Sequence, residues 1–405
     1  MKRLILKLFI IILIIALVSS YFIIILDDDK VPEENEDGNS AEGNNQDDDP
    51  PPENNSDDDE DINYEYYSFI EEATASWCTA CPEVAGILDK LSSTDNKFYY
   101  VSLVHDKSDK SKDRLDNEYN TYGYPTVFID GGSQVIVGNT DFEKQFLEKL
   151  KKNQERKRPD LLINIEPKWN ESDNSLENKV IIQNNENETY NGRLKLYITE
   201  IQSRWADYNG DPYHYGLIDF GYDKVIKINS KENITIDELW ESSKSEFSNI
   251  YPENLFVFAV VFNSEAKTSY ANPTEHENSF KAYSVDAVVG TNISEGALPP
   301  TIGISRPKQW HRYIFDKEGK KGISGETIIL GKLTIEAKVE AEAGVQKVDF
   351  IVTGELRDFT YTDNEAPYQW TWNKLALGRY AIKVIVTDKQ GRQQEDTMDI
   401  IAFNI

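Results

Sequence analysis

Cysteine is almost absent from this 405-residue chain: Cys78 and Cys81 are the only two. A disulfide-rich scaffold is therefore excluded, since the pair could close only one tiny loop. Four scattered histidines add too few ligands for a four-cysteine zinc or iron–sulfur type of site. Basic charge is also scarce, with 43 Lys and Arg against 71 Asp and Glu and a formal net charge of −28. The imbalance is concentrated. Asp27 to Asp61 holds seventeen acids against Lys30 alone, a net of −16, and residues 1–26 carry +3, which leaves −15 for 62–405. A net-acidic body with no basic block argues against nucleic-acid binding, which needs Lys and Arg to neutralise phosphates. No feature indicates a nucleotide, flavin or metal cofactor.

What the chain does have begins at its N-terminus. Lys2, Arg3 and Lys7 precede an uncharged run from Leu8 to Leu26, interrupted only by Ser19, Ser20 and Tyr21. As a helix these nineteen residues would span roughly 28 Å, close to the hydrocarbon thickness of a bilayer. Positive charge before the run and Asp27-Asp28-Asp29 after it place the body outside the cytoplasm. The expectation is a single-pass signal anchor over 1–26. Cleavage near Val18-Ser19-Ser20, which would secrete the body, is the alternative. Residues 27–61, rich in Asp, Glu, Asn and Pro, cannot bury enough apolar surface to offset their ordering entropy and are expected to form a disordered acidic linker.

Residues 62–156 alternate strand and helix signals. Tyr64–Glu71 and Phe98–Val104 read as strands, and Val84, Ile87, Leu88 and Leu91 recur at helical spacing. A polar helix is expected over 108–119. Thr126–Asp130 and Gln134–Val137 form a hairpin signal through Gly131-Gly132. Thr140 and Glu143 match a capping box ahead of Phe142, Phe146 and Leu150. After Pro159 helix signals nearly vanish. Short strands separated by Asn, Gly and Asp, with one helix near Asp237–Ser245, predict an all-β sandwich over 157–295. Strict alternation at Leu333, Ile335, Ala337 and Val339, beyond Pro299-Pro300, predicts a second sandwich over 296–405.

The candidate chemistry lies in Trp77-Cys78-Thr79-Ala80-Cys81-Pro82. A thiol at the start of a helix meets unpaired N–H groups and the positive end of the macrodipole, which favour thiolate. A second thiol one turn on can resolve a mixed disulfide. The run from Glu72 to Cys81 resembles the active-site segment of thioredoxin-fold proteins, in particular their membrane-anchored thiol-disulfide oxidoreductases. Tyr122-Gly123-Tyr124-Pro125-Thr126 resembles that family's cis-proline loop. The resemblance covers about 95 residues, read off the sequence. It implies an α/β thioredoxin-like domain over 62–156. Cys78 is then the nucleophile and Cys81 the resolving thiol. Glu72 is a buried proton relay, Trp77 shields the thiols, and Tyr124, Pro125 and Thr126 line a docking groove. The implied partners are protein thiols and disulfides and a membrane redox protein. Thr79-Ala80 lacks the histidine of oxidases and isomerases, so reduction is favoured over oxidation.

The Ala366–Trp372 run with Gly378 is similar to bacterial immunoglobulin-like domains. The expected architecture is thus an anchor, a linker, an α/β thioredoxin-like domain and two sandwiches, acting as an extracytoplasmic thiol-disulfide oxidoreductase. The alternative is a cell-surface binding or adhesion protein. In it the sandwiches bind a polymer or a partner, and the cysteine-bearing domain is a scaffold.

Overall fold

The structure is a computed structural model that describes residues 66–322, 325–355 and 357–404. The expected anchor at 1–26 and linker at 27–61 lie outside the described residues. Among the described residues no helix is long and apolar enough to cross a membrane. Ile62–Ile405 forms one compact unit.

Its first part runs β1 (Ser68–Thr74), α1 (Cys81–Ser92), β2 (Phe98–Val104) and α2 (Asp109–Asp113), the last continued by a π-helical turn over Arg114–Glu118. The hairpin β3 (Thr126–Ile129) and β4 (Gln134–Val137) follows, then α3 (Phe142–Gln154). β1 is buried along its whole length and lies between β2, to which it is parallel, and β3, to which it is antiparallel. Its side chains alternate. Ile70 faces α1 and α3, packing with Val84, Leu88, Phe142 and Phe146. Phe69 and Ala73 face the opposite way. The capping box does not form. Asp141 is the N-cap of α3, in a left-handed conformation, without a side-chain cap bond.

The second part is all strand: β5 (Leu161–Asn170), β6 (Ser175–Asn184), β7 (Tyr190–Ala206), β8 (Pro212–Ile228), β9 (Asn233–Glu241), β10 (Leu255–Asn272) and β11 (Glu277–Asn292). The helix expected near Asp237–Ser245 is instead the end of β9, whose burial alternates residue by residue before one 3-10 turn over Ser242–Lys244. β7, β8, β10 and β11 are 16 to 18 residues long, far longer than the short segments that were legible as strands.

The separate α/β thioredoxin-like layer expected from the sequence is not what the chain forms. One eight-stranded sheet runs β11-β10-β7-β8-β2-β1-β3-β4, so the helix-bearing strands continue the sandwich sheet. The cores are fused as well. Phe69, Val101 and Leu103 pack in one cluster with Tyr197, Leu217, Phe258 and Val260. On the other face of the sandwich strands, β5-β6-β9 closes a second core around Leu196, Ile198, Ile218 and Val257. Strands dominate the chain, and only three short α-helices interrupt them among the described residues. The fold class is mostly all-β.

The third part contains β12 (Thr301–Arg306), β13 (His311–Ile314), β14 (Lys317–Lys321), β15 (Thr327–Leu330) and β16 (Leu333–Glu340). It continues with β17 (Val345–Gly354), β18 (Asp358–Asp363), β19 (Gln369–Trp372), β20 (Ala376–Asp388) and β21 (Gln393–Asn404). The sheet β12-β16-β19 packs against the seven-stranded sheet β14-β13-β15-β21-β20-β17-β18 around a fully buried Trp372, Phe350 and Val384. The alternation at Leu333 and Ile335 corresponds to this core, with Ala337 and Val339 packed against it.

A buried ion pair stands where the first and second parts meet. Arg114 donates from Nε and Nη2 to the two Glu71 oxygens at 2.9 Å each, and the Tyr197 hydroxyl of β7 donates to the same carboxylate at 2.9 Å. Glu71 is fully buried. Removing only the cation strands a desolvated carboxylate, so Arg114→Met should lower unfolding free energy by about 3–5 kcal/mol. Urea denaturation measures it, and the double variant Glu71→Gln/Arg114→Met should recover part of the loss.

Candidate functional site

Cys78 follows a turn in which its amide donates to the Ala75 carbonyl at 3.0 Å. α1 begins at Cys81 with Pro82 in its first turn, where the missing N–H costs little. Cys78 therefore lies before the helix rather than within its first turn. The two cysteines are joined as a disulfide. Cys78 is 5% exposed and Cys81 is fully buried, among Ala75, Trp77, Ala80 and Tyr124. A reactive pair would present the attacking sulfur to solvent and bury only the resolving one. Here both residues are buried.

The cover comes from both ends of the chain. The Trp77 ring meets Tyr124 edge-on at 5.6 Å and stacks on Trp310 of the third part at 4.9 Å. Trp310 sits in the left-handed region, at φ +65°, and its amide donates to Thr327 Oγ1 at 2.8 Å. Beside it, Gln309 Nε2 donates to Ser76 Oγ at 3.4 Å. Ser76 is held in turn by Asp106, which accepts from its amide at 2.9 Å and its hydroxyl at 2.5 Å. Nothing in the sequence around Trp310 announced this contact, because it depends on how the last sandwich folds back. An open cleft of about 470 Å³ reaches Trp77, His105, Asp106, Lys112 and Phe247, but neither cysteine lines it.

The remaining expected residues gather around the same loop. The Tyr124–Pro125 bond is cis. Thr126, at the start of β3, is buried opposite Ala73 and donates from Oγ1 to the Gly123 carbonyl at 2.8 Å. Tyr124 also lies 5.3 Å from the His105 ring, and burial pushes its hydroxyl pKa up. Glu72 is fully buried on the α1 side of β1, back to back with the ion-paired Glu71. Ser102 Oγ donates to Glu72 Oε2 at 2.9 Å, while Oε1 has no hydrogen-bond partner. Burial pushes the Glu72 carboxyl up to about 8. The Ser102 bond opposes that rise and the charge of Asp207 reinforces it. Among the described residues no hydrogen bond links Glu72 to either sulfur, and the two cysteines carry no titrating proton while bonded. Among the described residues no group of three or more His, Cys, Asp and Glu could hold a metal ion.

Residues 324–384 match the family model of the bacterial Ig domain. No curated protein matches the chain. Among solved structures the chain is similar to the fibronectin(III)-like modules of Clostridium thermocellum CbhA. Identity there is 22% and the TM-score 0.19, over 26% of this chain and 97% of that one. It is also similar to trypsin-activated alpha-2-macroglobulin from Escherichia coli, at 9% identity and TM-score 0.32, over 61% of this chain and 17% of that one. A 1.5-MDa bacterial ice-binding adhesin matches at 11% identity and TM-score 0.17, over 61% and 67%. With scores this low, none of the three bears on what the chain binds.

These findings correct the oxidoreductase reading. The family match is to an Ig domain and not to a thioredoxin-like enzyme, and the fold is a set of fused β-sandwiches. The Ig-type match is in keeping with a surface or extracellular location.

Glu72 gives a test of the site's electrostatics. Below the ordinary carboxyl pKa of 4.5, both folded and unfolded states keep the proton and no penalty exists. Between 4.5 and about 8 the unfolded chain releases its proton while the folded one retains it, so stability falls as pH rises. Above that window the penalty is constant. Glu72→Gln should therefore match the wild type near pH 4 and exceed it by roughly 3 kcal/mol at pH 7. Denaturant titrations at several pH values measure the gap.

Proposed function

We propose that this protein is an extracytoplasmic binding protein of adhesin type, whose β-sandwiches supply the contact surface. The segment holding Cys78 and Cys81 is its scaffold. The disulfide there is a staple at the head of α1, packed under Trp77 and Trp310. The body works outside the cytoplasm, either held through residues 1–26 or released after cleavage.

The observation that carries this reading is an exposed apolar end on the Ig-matched sandwich. Leu375, Leu377 and Phe315 expose 67%, 69% and 70% of their surfaces. Folding gains little from these side chains, since apolar groups left in water contribute none of the burial energy that drives it. Clustered exposed apolar surface rimmed by polar residues is the mark of an interaction site.

The test uses purified protein, fluorescently labelled, presented to envelope fractions of the source cells. Saturable binding is expected. It should be unchanged in Cys78→Ser/Cys81→Ser and weakened several-fold in Leu375→Ser/Leu377→Ser. Binding that disappears with the cysteines, or no binding at all, contradicts the reading.

A further inference from the structure

The exposed apolar side chains share one end of the seven-stranded sheet, because strand direction brings them there. β13, β15 and β21 run parallel and finish at this end, and β20 starts from it. The register pairs Ile314 with Leu330, Leu330 with Phe403, and Phe403 with Leu377, an unbroken apolar row across four strands. At about 4.8 Å per strand the row is roughly 14 Å wide. It lies on the outer face of the sheet, since the neighbouring residues Tyr313, Ile329 and Ala402 point into the core.

Phe315 stands at the tip of the β13–β14 hairpin. It and Asp316 have φ of +47° and +71°, so both central residues of a two-residue turn are left-handed. That turn favours Asn-Gly, and a large aromatic residue there is strained. The fold thus accepts both backbone strain and a ring that is 70% exposed. The ring is seated on Gly331, where an added Cβ would come within 2.6 Å of it. The Gly331 amide in turn donates to the Phe403 carbonyl at 2.9 Å, which ties the tip to the apolar row.

Charge at this end runs against that of the body. Lys317, Lys332 and Lys374 flank Phe315, Gly331 and Leu375 in sequence and are exposed. None of the three makes an ion pair among the described residues. Of the acids beside Lys317, Asp316 is occupied by Arg306 and Thr334, and Glu318 by His311 and Tyr313. Glu355 and Asp358 lie farther along the sheet end, at the β17–β18 turn with Arg357. Protruding apolar side chains backed by unpaired ammonium groups complement a bilayer face. The apolar atoms enter the acyl boundary while the lysines meet the phosphates of an anionic surface.

We propose that this end of the C-terminal sandwich docks on an anionic lipid surface, with Phe315, Leu375, Leu377 and Phe403 inserted and Lys317, Lys332 and Lys374 on the headgroups. The assignment rests on the binding reading and names the partner of the same surface.

The test uses residues 62–405, the compact unit that holds every core described here, so that the apolar run of 1–26 cannot insert instead. Co-sedimentation is measured with vesicles of phosphatidylglycerol and phosphatidylcholine and with phosphatidylcholine alone. Phe315→Asn suits the turn and should fold at least as stably as wild type, which a thermal melt checks. Expected are binding to the anionic vesicles that falls with salt, about tenfold weaker binding in Phe315→Asn, and loss of the anionic preference in Lys317→Gln/Lys332→Gln/Lys374→Gln. Equal binding by all variants overturns the proposal. So does self-association abolished by Phe315→Asn without vesicle binding, which would assign the face to a second copy. Envelope binding without vesicle binding defeats this inference alone; absence of both defeats the binding reading too.

Discussion

At Ser102 and Gly216, β2 and β8 run side by side in parallel, and this short seam joins the helix-bearing strands to the sandwich sheet. On the β7 side, Gly216 leaves room for Ser203, whose Oγ an added Cβ would approach within 2.5 Å. Around the seam, Tyr215 packs edge-on against Tyr100 at 5.2 Å, and Phe69 against Tyr197 at 4.8 Å. The Glu71–Arg114 pair with Tyr197 fixes the register from inside. With one sheet and one shared core, the cysteine-bearing segment is built into the sandwich and does not stand on it as a separate module.

The third part completes this arrangement. Lys107 pairs with Asp396 at 3.7 Å, and the same carboxylate accepts the Ile304 amide at 2.9 Å. Arg392 reaches Glu253 at 2.8 Å and the Ala297 carbonyl at 2.6 Å. These contacts set the β12–β13 connection against the cysteine loop and bring Trp310 onto Trp77. The disulfide is closed off by the same packing that leaves the far end of the C-terminal sheet in water. The two consequences go together: shielding at one end and exposure at the other.

Much of the local structure was legible. Phe98–Val104 is a strand with the same bounds, and Val84, Leu88 and Leu91 are the buried face of α1. The hairpin through Gly131-Gly132 is present, with both glycines at positive φ. β7, β8 and β10 were visible only in short apolar stretches, Leu194–Ile198, Val225–Ile228 and Phe256–Phe262, and β11 was not legible as a strand. Their ends carry polar residues paired across strands, such as Arg193 with Asp223, which single-strand periodicity does not register. Ile234, Ile236 and Trp240 carried the true alternation of β9, but the acids at 237 and 238 masked it as a helix start. In the site, Cys78, Cys81, Trp77 and Tyr124 do pack together, and the Tyr124–Pro125 bond is cis. What sequence could not supply was Trp310, which arrives from 233 residues beyond Trp77 and decides how far the sulfurs are open.

The central claim is that Cys78–Cys81 is a covered staple. It is tested most directly by the rate at which dithiothreitol reduces that bond in the folded protein, read by alkylation and mass spectrometry. The account predicts a bond that resists reduction at neutral pH until the protein is unfolded, and that opens at least tenfold faster once Trp310→Gly removes the stacked ring. Rapid reduction of the native bond, unaffected by Trp310, would contradict it.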